Sequence, residues 1–147
     1  MTIRPVIIVG VDDSATSRRA LVWACAEDER LGGVVEAVTT YDAYGGEAAR
    51  ELARSQQQRV VDQAVGEVPA ERVSRHVLPG KAVDVLTLRS RHAYLLVLGG
   101  QSTAGLRHSA QSSTAEHVVR LAECPVAIVP PPPVLTGQTL PGAVCAL

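Results

Sequence analysis

Three stretches of this chain are apolar without a break: Val6 to Val11 (VIIVGV), Leu95 to Leu98 (LLVL) and Val126 to Val129 (VAIV). A strand with one wet face alternates apolar and polar residues, because successive side chains point to opposite sides of the sheet. A continuous apolar run instead describes a strand covered on both faces, and such strands belong to parallel sheets layered between helices. Two further segments rich in β-branched residues, Val34 to Thr40 and Arg72 to Leu78, bring the predicted strands to five.

Helical spacing fills the intervals. Ala20, Leu21, Ala24, Cys25, Asp28 and Leu31 form a mostly apolar stripe that stops at Gly32 and Gly33. A second helix is expected from about Glu47 to Val65 and a third from about Lys81 to His92. The last is the most regular, with Ala115, Val118, Val119 and Ala122 at i, i+3, i+4 and i+7 on one apolar face. The order βαβαβαβαβ predicts an α/β fold, a single-domain open parallel five-stranded sheet, doubly wound through right-handed crossovers. Residues 3–130 make the domain; residues 131–147 make a Pro-rich tail, expected to be irregular after the run Pro130 to Pro133.

Composition narrows the function classes. The 147 residues are 46% apolar but only 3% aromatic, with no Phe, so the core is built from Val, Leu, Ala and Ile. A net charge of -1 gives no broad electrostatic attraction for nucleic acid or an anionic membrane. The first apolar run is too short to span a bilayer and is followed at once by Asp12 and Asp13, so a cytoplasmic location is expected. Cys25, Cys124 and Cys145 are far apart and share no ligand spacing with His76, His92, His108 or His117. They read as reduced, unpaired thiols rather than a disulfide framework or a zinc site.

In open sheets of this kind ligands lie beyond the C-terminal ends of the strands, where neighbouring connections diverge. That makes the loops after Val11 and after Leu98 the candidates. In the first, Asp12 sits at the strand end, with Ser14 and Ser17 placed to satisfy amides at the start of the next helix. Asp12 has two roles open to it: hydrogen bonding to a nucleotide base or ribose, or support of the helix N-terminus together with Asp13.

The segments IIVGVDDSATSRRALVWA (7–24), GKA (80–82), LLVLGG (95–100), GLR (105–107) and SSTAEHVVRLAECPVAIVP (112–130) resemble the universal stress protein family, in order and with compatible spacing from Val6 to Pro130. The resemblance implies a Rossmann-like sheet of the adenine-nucleotide alpha hydrolase type. Nucleotide-binding members carry, after the fourth strand, glycine, two residues, glycine, nine residues, glycine and then Ser or Thr. The same count here meets Gly99, Ser102, Ser112 and Ser113, so two glycines are serine. Gly105, Leu106 and Arg107 match the loop interior, while His108 stands where small residues are common.

Serine keeps the amide donor but adds a Cβ, and holding it at a left-handed φ costs about 1 kcal/mol or more. The substitutions are compatible with weakened binding, altered ligand choice or loss of binding. Ser113 has a second explanation, since S-x-x-E from Ser113 to Glu116 is a capping box that needs no ligand. Carried over residue by residue, the resemblance places a nucleotide against Asp12, the backbone near Val38, Gly99, Ser102, Gly105, Ser112, Ser113 and Thr114. The ligand it implies is an adenine nucleotide, ATP, with Mg²⁺ only alongside ATP. It also implies a homodimer formed through the edge strand of Glu123 to Pro130.

The resulting expectation is a small non-enzymatic stress-response or regulatory binding domain with weak or absent adenine-nucleotide binding. The alternative is an ATP-binding switch or slow ATPase using the 99–114 loop. Phosphoryl transfer normally needs a Lys or Arg clamp and a positioned water, and no G-x-x-x-x-G-K-[ST] loop occurs in the chain. Adenylating enzymes of related architecture place paired glycines and a serine after the first strand, whereas Gly10 to Ser14 reads GVDDS. A cysteine-based redox role has no partner group in the sequence.

Overall fold

The five strands form one parallel sheet, and each stands within a residue or two of its apolar run. In the computed structural model, residues 3–64, 66, 70–100 and 113–133 are described, the side chains of Ala70 and Ser113 excepted. The elements are β1 (Val6–Gly10), α1 (Ala15–Leu31), β2 (Val34–Tyr41), α2 (Gly46–Gln63), β3 (Val73–Pro79), α3 (Ala82–Ser90), β4 (Leu95–Gly99), α4 (Ser113–Leu121) and β5 (Val126–Val129). The strand order is β3-β2-β1-β4-β5. Succession therefore runs outward from β1 to β3, then returns to the other side of β1 for β4 and β5. The switch between β1 and β4 opens the crevice such sheets use for ligands.

Both faces of the central strands are covered, as their sequences require. Ile7 and Val9 point into a core with Ala20, Leu21 and Ala24 of α1 and Val60 and Val61 of α2. Ile8, between them, points into the opposite core with Leu86 of α3, Val118 of α4, and Leu96 and Leu98 of β4. Alternation of partners within one apolar run is thus the period of the strand made visible. The outer strands differ. Pro79 closes β3 opposite Tyr41, at the end of an edge strand where its missing amide is tolerated.

Helix α1 begins at Ser14, whose side chain accepts from the Ser17 amide, and ends at Gly32. There φ is 67°, a left-handed conformation suited to glycine, and the Gly32 amide closes on the Asp28 carbonyl at 2.8 Å. The stripe on α1 does bury Asp28, which is 1% exposed and whose Oδ1 has no hydrogen-bond partner among the described residues.

The expected stripe on α4 is corrected in part. Val118 is fully buried and Ala115 and Ala122 partly so, but Val119 is 52% exposed. Each helical residue advances about 100°, so a seam through Ala115, Val118 and Ala122 leaves Val119 at its margin. Among the described residues no helix is long and apolar enough to cross a membrane.

Candidate functional site: a cleft at the strand ends

A cavity of about 790 Å³ opens where β1 and β4 diverge, bounded by the C-terminal ends of β1, β2 and β4 and the first turns of α1 and α4. Its volume lies within the range of small-molecule sites. Asp12, Val38, Gly99 and Thr114 all line it, so four of the eight sequence-nominated residues meet in one place. Ser102, Gly105 and Ser112 lie outside the described residues, as do Arg107 and His108. Ser113 is the first residue of α4, and its side chain, on which the capping box depends, lies outside the described atoms.

Asp12 is the charged side chain among the described lining residues. Its Oδ1 accepts from the Ser14 amide at 2.9 Å and from the Ser17 hydroxyl at 2.8 Å. The Ser17 hydroxyl also accepts from the Asp12 amide at 2.9 Å, which closes a small ring between the strand end and α1. The helix-supporting role of Asp12 is therefore realised, and it uses one carboxylate oxygen. The neighbouring Asp13 turns away toward Arg59, 3.8 Å distant.

Gly99 has a structural cause beyond any ligand. A Cβ there would lie 2.5 Å from Thr16 Oγ1 and 2.8 Å from the Thr16 backbone carbon. The first turn of α1 rests directly on the end of β4. Gly10 is similarly confined, with Leu98 Cδ2 2.6 Å from the place a Cβ would take. At the rim, the Nε–H of Arg19 donates to the Pro130 carbonyl at 3.0 Å, and Pro131 beside it lines the cavity.

Sequence reasoning missed the floor. Thr39 lies in the cavity lining at 4% exposure and donates its hydroxyl to the Val11 carbonyl at 2.9 Å. Behind it Gln57 of α2, 3% exposed, donates through Nε2 to Thr39 Oγ1. A signal existed: Ala53, Gln57, Val60 and Val61 fall at helical spacing, which puts Gln57 on the inward face of α2.

Of the thiols, Cys25 is buried and Cys124 partly buried, both unpaired, and Cys145 is outside the described residues. Burial raises the Cys25 thiol to about 11, with Asp28 and Glu29 adding to the effect. Burial raises Cys124 as well, so neither thiol is poised as a nucleophile. Among the described residues no group of three or more His, Cys, Asp or Glu is placed to hold a metal ion. Lys81 is exposed at the start of α3, and Trp23 is 38% exposed on α1.

The Universal stress protein family matches over residues 4–130. A universal stress protein of Mycobacterium tuberculosis is 28% identical over 86% of this chain, which spans 48% of that relative's length. A universal stress protein from Archaeoglobus fulgidus, solved in complex with dAMP, shares the fold at TM-score 0.65 and 21% identity, with 87% of this chain and 99% of that one covered. Another, solved in complex with cAMP, does so at TM-score 0.58 and 22% identity, covering 87% and 98%. With a match across almost the whole described fold, this chain belongs to the universal stress protein family.

Proposed function

We propose that the cleft binds an adenine nucleotide weakly and that the protein acts as a non-enzymatic, regulatory binding domain in a stress response. The observation that carries this reading is the 790 Å³ cavity at the β1–β4 switch, floored by β2 and flanked by the first turns of α1 and α4. Helix starts offer amide donors to anions, and the strand ends offer backbone groups to a base. The dAMP and cAMP complexes of similar folds support the ligand class.

Weakness is what serine at 102 and 112 would bring wherever the bound loop needs glycine's left-handed φ. A cost of about 1 kcal/mol at each position amounts to roughly thirtyfold in affinity together. Binding without fast chemistry is the reading of the sequence, which has no G-x-x-x-x-G-K-[ST] loop. Mg²⁺ would enter with ATP rather than on a site of protein ligands. A slow ATPase is the competing reading, and phosphate release that Ser113→Ala reduces would favour it.

Calorimetric titration with AMP, cAMP and ATP tests the proposal, together with mass spectrometry of small molecules released from fresh protein. Ala15→Trp provides the control, since Ala15 is exposed and lines the cavity, so the indole blocks the mouth without entering the core. Binding with Kd near millimolar that Ala15→Trp abolishes is expected. No binding of any of the three at millimolar concentration would refute it.

The same reading includes a homodimer. Strand β5 pairs with β4 on one side and forms the edge of the sheet, and Ile128 on it is 42% exposed. A second copy of the segment Glu123 to Pro130 would cover that edge. Sedimentation at micromolar concentration is expected to give twice the chain mass, and Ile128→Lys to halve it; a strict monomer for the unaltered chain would refute the dimer.

A further inference from the structure

The cleft floor is held by a chain of hydrogen bonds whose origin lies outside the cleft. Gln57 Nε2 shares its two protons among three acceptors, the Thr39 hydroxyl at 3.0 Å and the carbonyls of Ala37 and His76 at 3.1 and 3.0 Å. With the amide as donor, the Thr39 hydroxyl proton is directed onward to the Val11 carbonyl at 2.9 Å. Val11 in turn donates its amide to the Val38 carbonyl at 2.8 Å. Both backbone groups of the residue before Asp12 are thus tied to β2, one by the main chain and one by a side chain.

The side-chain bond has a consequence for the sheet. A parallel ladder in which the Val11 amide reaches Val38 would continue with the Thr40 amide donating to the Val11 carbonyl. The β1–β2 register instead stops at Gly10 and Val38, and the Thr39 hydroxyl takes the Val11 carbonyl. Thr40 lines the cavity immediately beyond this point. Where the ladder ends, the Thr39 hydroxyl holds the peptide that leads into Asp12.

We infer that Thr39, braced by Gln57, is a positioning residue of the ligand cleft: it sets the Val11–Asp12 backbone and the Thr40 edge of β2 in the arrangement that receives a ligand. This rests on the cleft being a nucleotide site, but the geometry it asserts can be read without a ligand. Thr39→Val preserves shape and removes the hydroxyl; Thr39→Ser preserves the hydroxyl and removes a methyl group.

The test compares both variants with the unaltered protein by AMP titration and by amide spectra of Val11 to Ser14 without ligand. Thr39→Val is expected to weaken AMP binding about tenfold, the worth of a lost buried hydrogen bond, while Thr39→Ser stays within about twofold. The amides of Val11 to Ser14 are expected to move in Thr39→Val and to stay in place in Thr39→Ser. A residue important only for stability would lower the melting temperature in Thr39→Val but leave the affinity of folded protein and those amides unchanged, and that result overturns the inference. If the unaltered protein binds no AMP, the functional proposal fails, and unmoved amides in Thr39→Val would separately overturn the positioning role.

Discussion

Gly99 is the position where packing and the proposed ligand both ask for glycine, and Gly99→Ala measured without nucleotide isolates the packing claim. An added Cβ would stand 2.5 Å from Thr16 Oγ1, 2.7 Å from Thr16 Cβ and 2.8 Å from the Thr16 backbone carbon. Carbon atoms rest at about 3.5–4.0 Å, so each contact is short by roughly an ångström. Rotation of the Thr16 side chain relieves only the first, because Cβ and the backbone carbon move only if α1 moves. Overpacking costs about 1–3 kcal/mol in general, and a clash that displaces a helix belongs at the upper end, about 3 kcal/mol. That is a large part of the roughly 5–15 kcal/mol that holds a domain of ordinary stability. Urea unfolding without nucleotide, followed by circular dichroism and by Trp23 emission, measures it. Thr16→Gly in the same chain removes two of the three clashing atoms, so the double variant is expected to recover part of the loss beyond additivity. If Gly99→Ala unfolds within about 0.5 kcal/mol of the unaltered chain, the packing argument is wrong.

Other consequences follow from buried groups and ion pairs. The Cys25 thiol, raised from 9.0 to about 11, stays protonated in the folded chain where the unfolded chain has ionised. Its contribution is complete below pH 9 and is lost as pH rises through 11, so unfolding free energy should fall over that window and fall less in Cys25→Ala. Asp28→Asn puts a neutral amide where a buried carboxylate oxygen has no partner among the described residues; a gain of about 1 kcal/mol in urea unfolding is expected, and an equal loss would show that Oδ1 is satisfied. Arg89 pairs with Glu36 at 3.1 Å with side chains 30% and 24% exposed, whereas Arg91 and Glu123 pair at 2.8 Å with 58% and 57% exposed. Arg89→Ala should cost about 1–2 kcal/mol by stranding Glu36, and Arg91→Ala less than about 0.5 kcal/mol, by the same measurement.

How much of this was legible in sequence depended on the range of the interaction that decides each residue. The parallel, doubly covered sheet could be read because Ile7, Ile8 and Val9 announce two buried faces, which the helices between parallel strands cover. The end of α1 could be read because Gly32 acts on its own turn. Val119 misled because an apolar residue at helical spacing reports a permitted face, while the width of the seam depends on what α4 meets. Gly99 was read as glycine for a phosphate, since the atom that demands it belongs to Thr16, far away in the chain. Gln57 stands within Gln56, Gln57 and Gln58, three residues equal in composition, and the rotation of α2 alone turns the middle one inward. Ser102, Gly105 and Ser112 remain sequence-derived candidates.

In the proposed nucleotide site, the division of the cleft into floor and loop accounts for serine at 102 and 112, where the resembled loop pattern has glycine. The floor is complete in itself: Gln57, Thr39 and Val11 join α2 to β2 and β1, and Asp12, Ser14 and Ser17 join β1 to α1. Gly10 and Gly99 are confined by Leu98 and Thr16, so these two glycines answer to the fold. Exchanging glycine for serine at positions 102 and 112 breaks none of these bonds. The bonds that hold the cleft and the two serines of the proposed phosphate loop therefore lie on different residues. A chain can change the loop while those bonds keep a ligand-sized cavity open at the same place in the sheet.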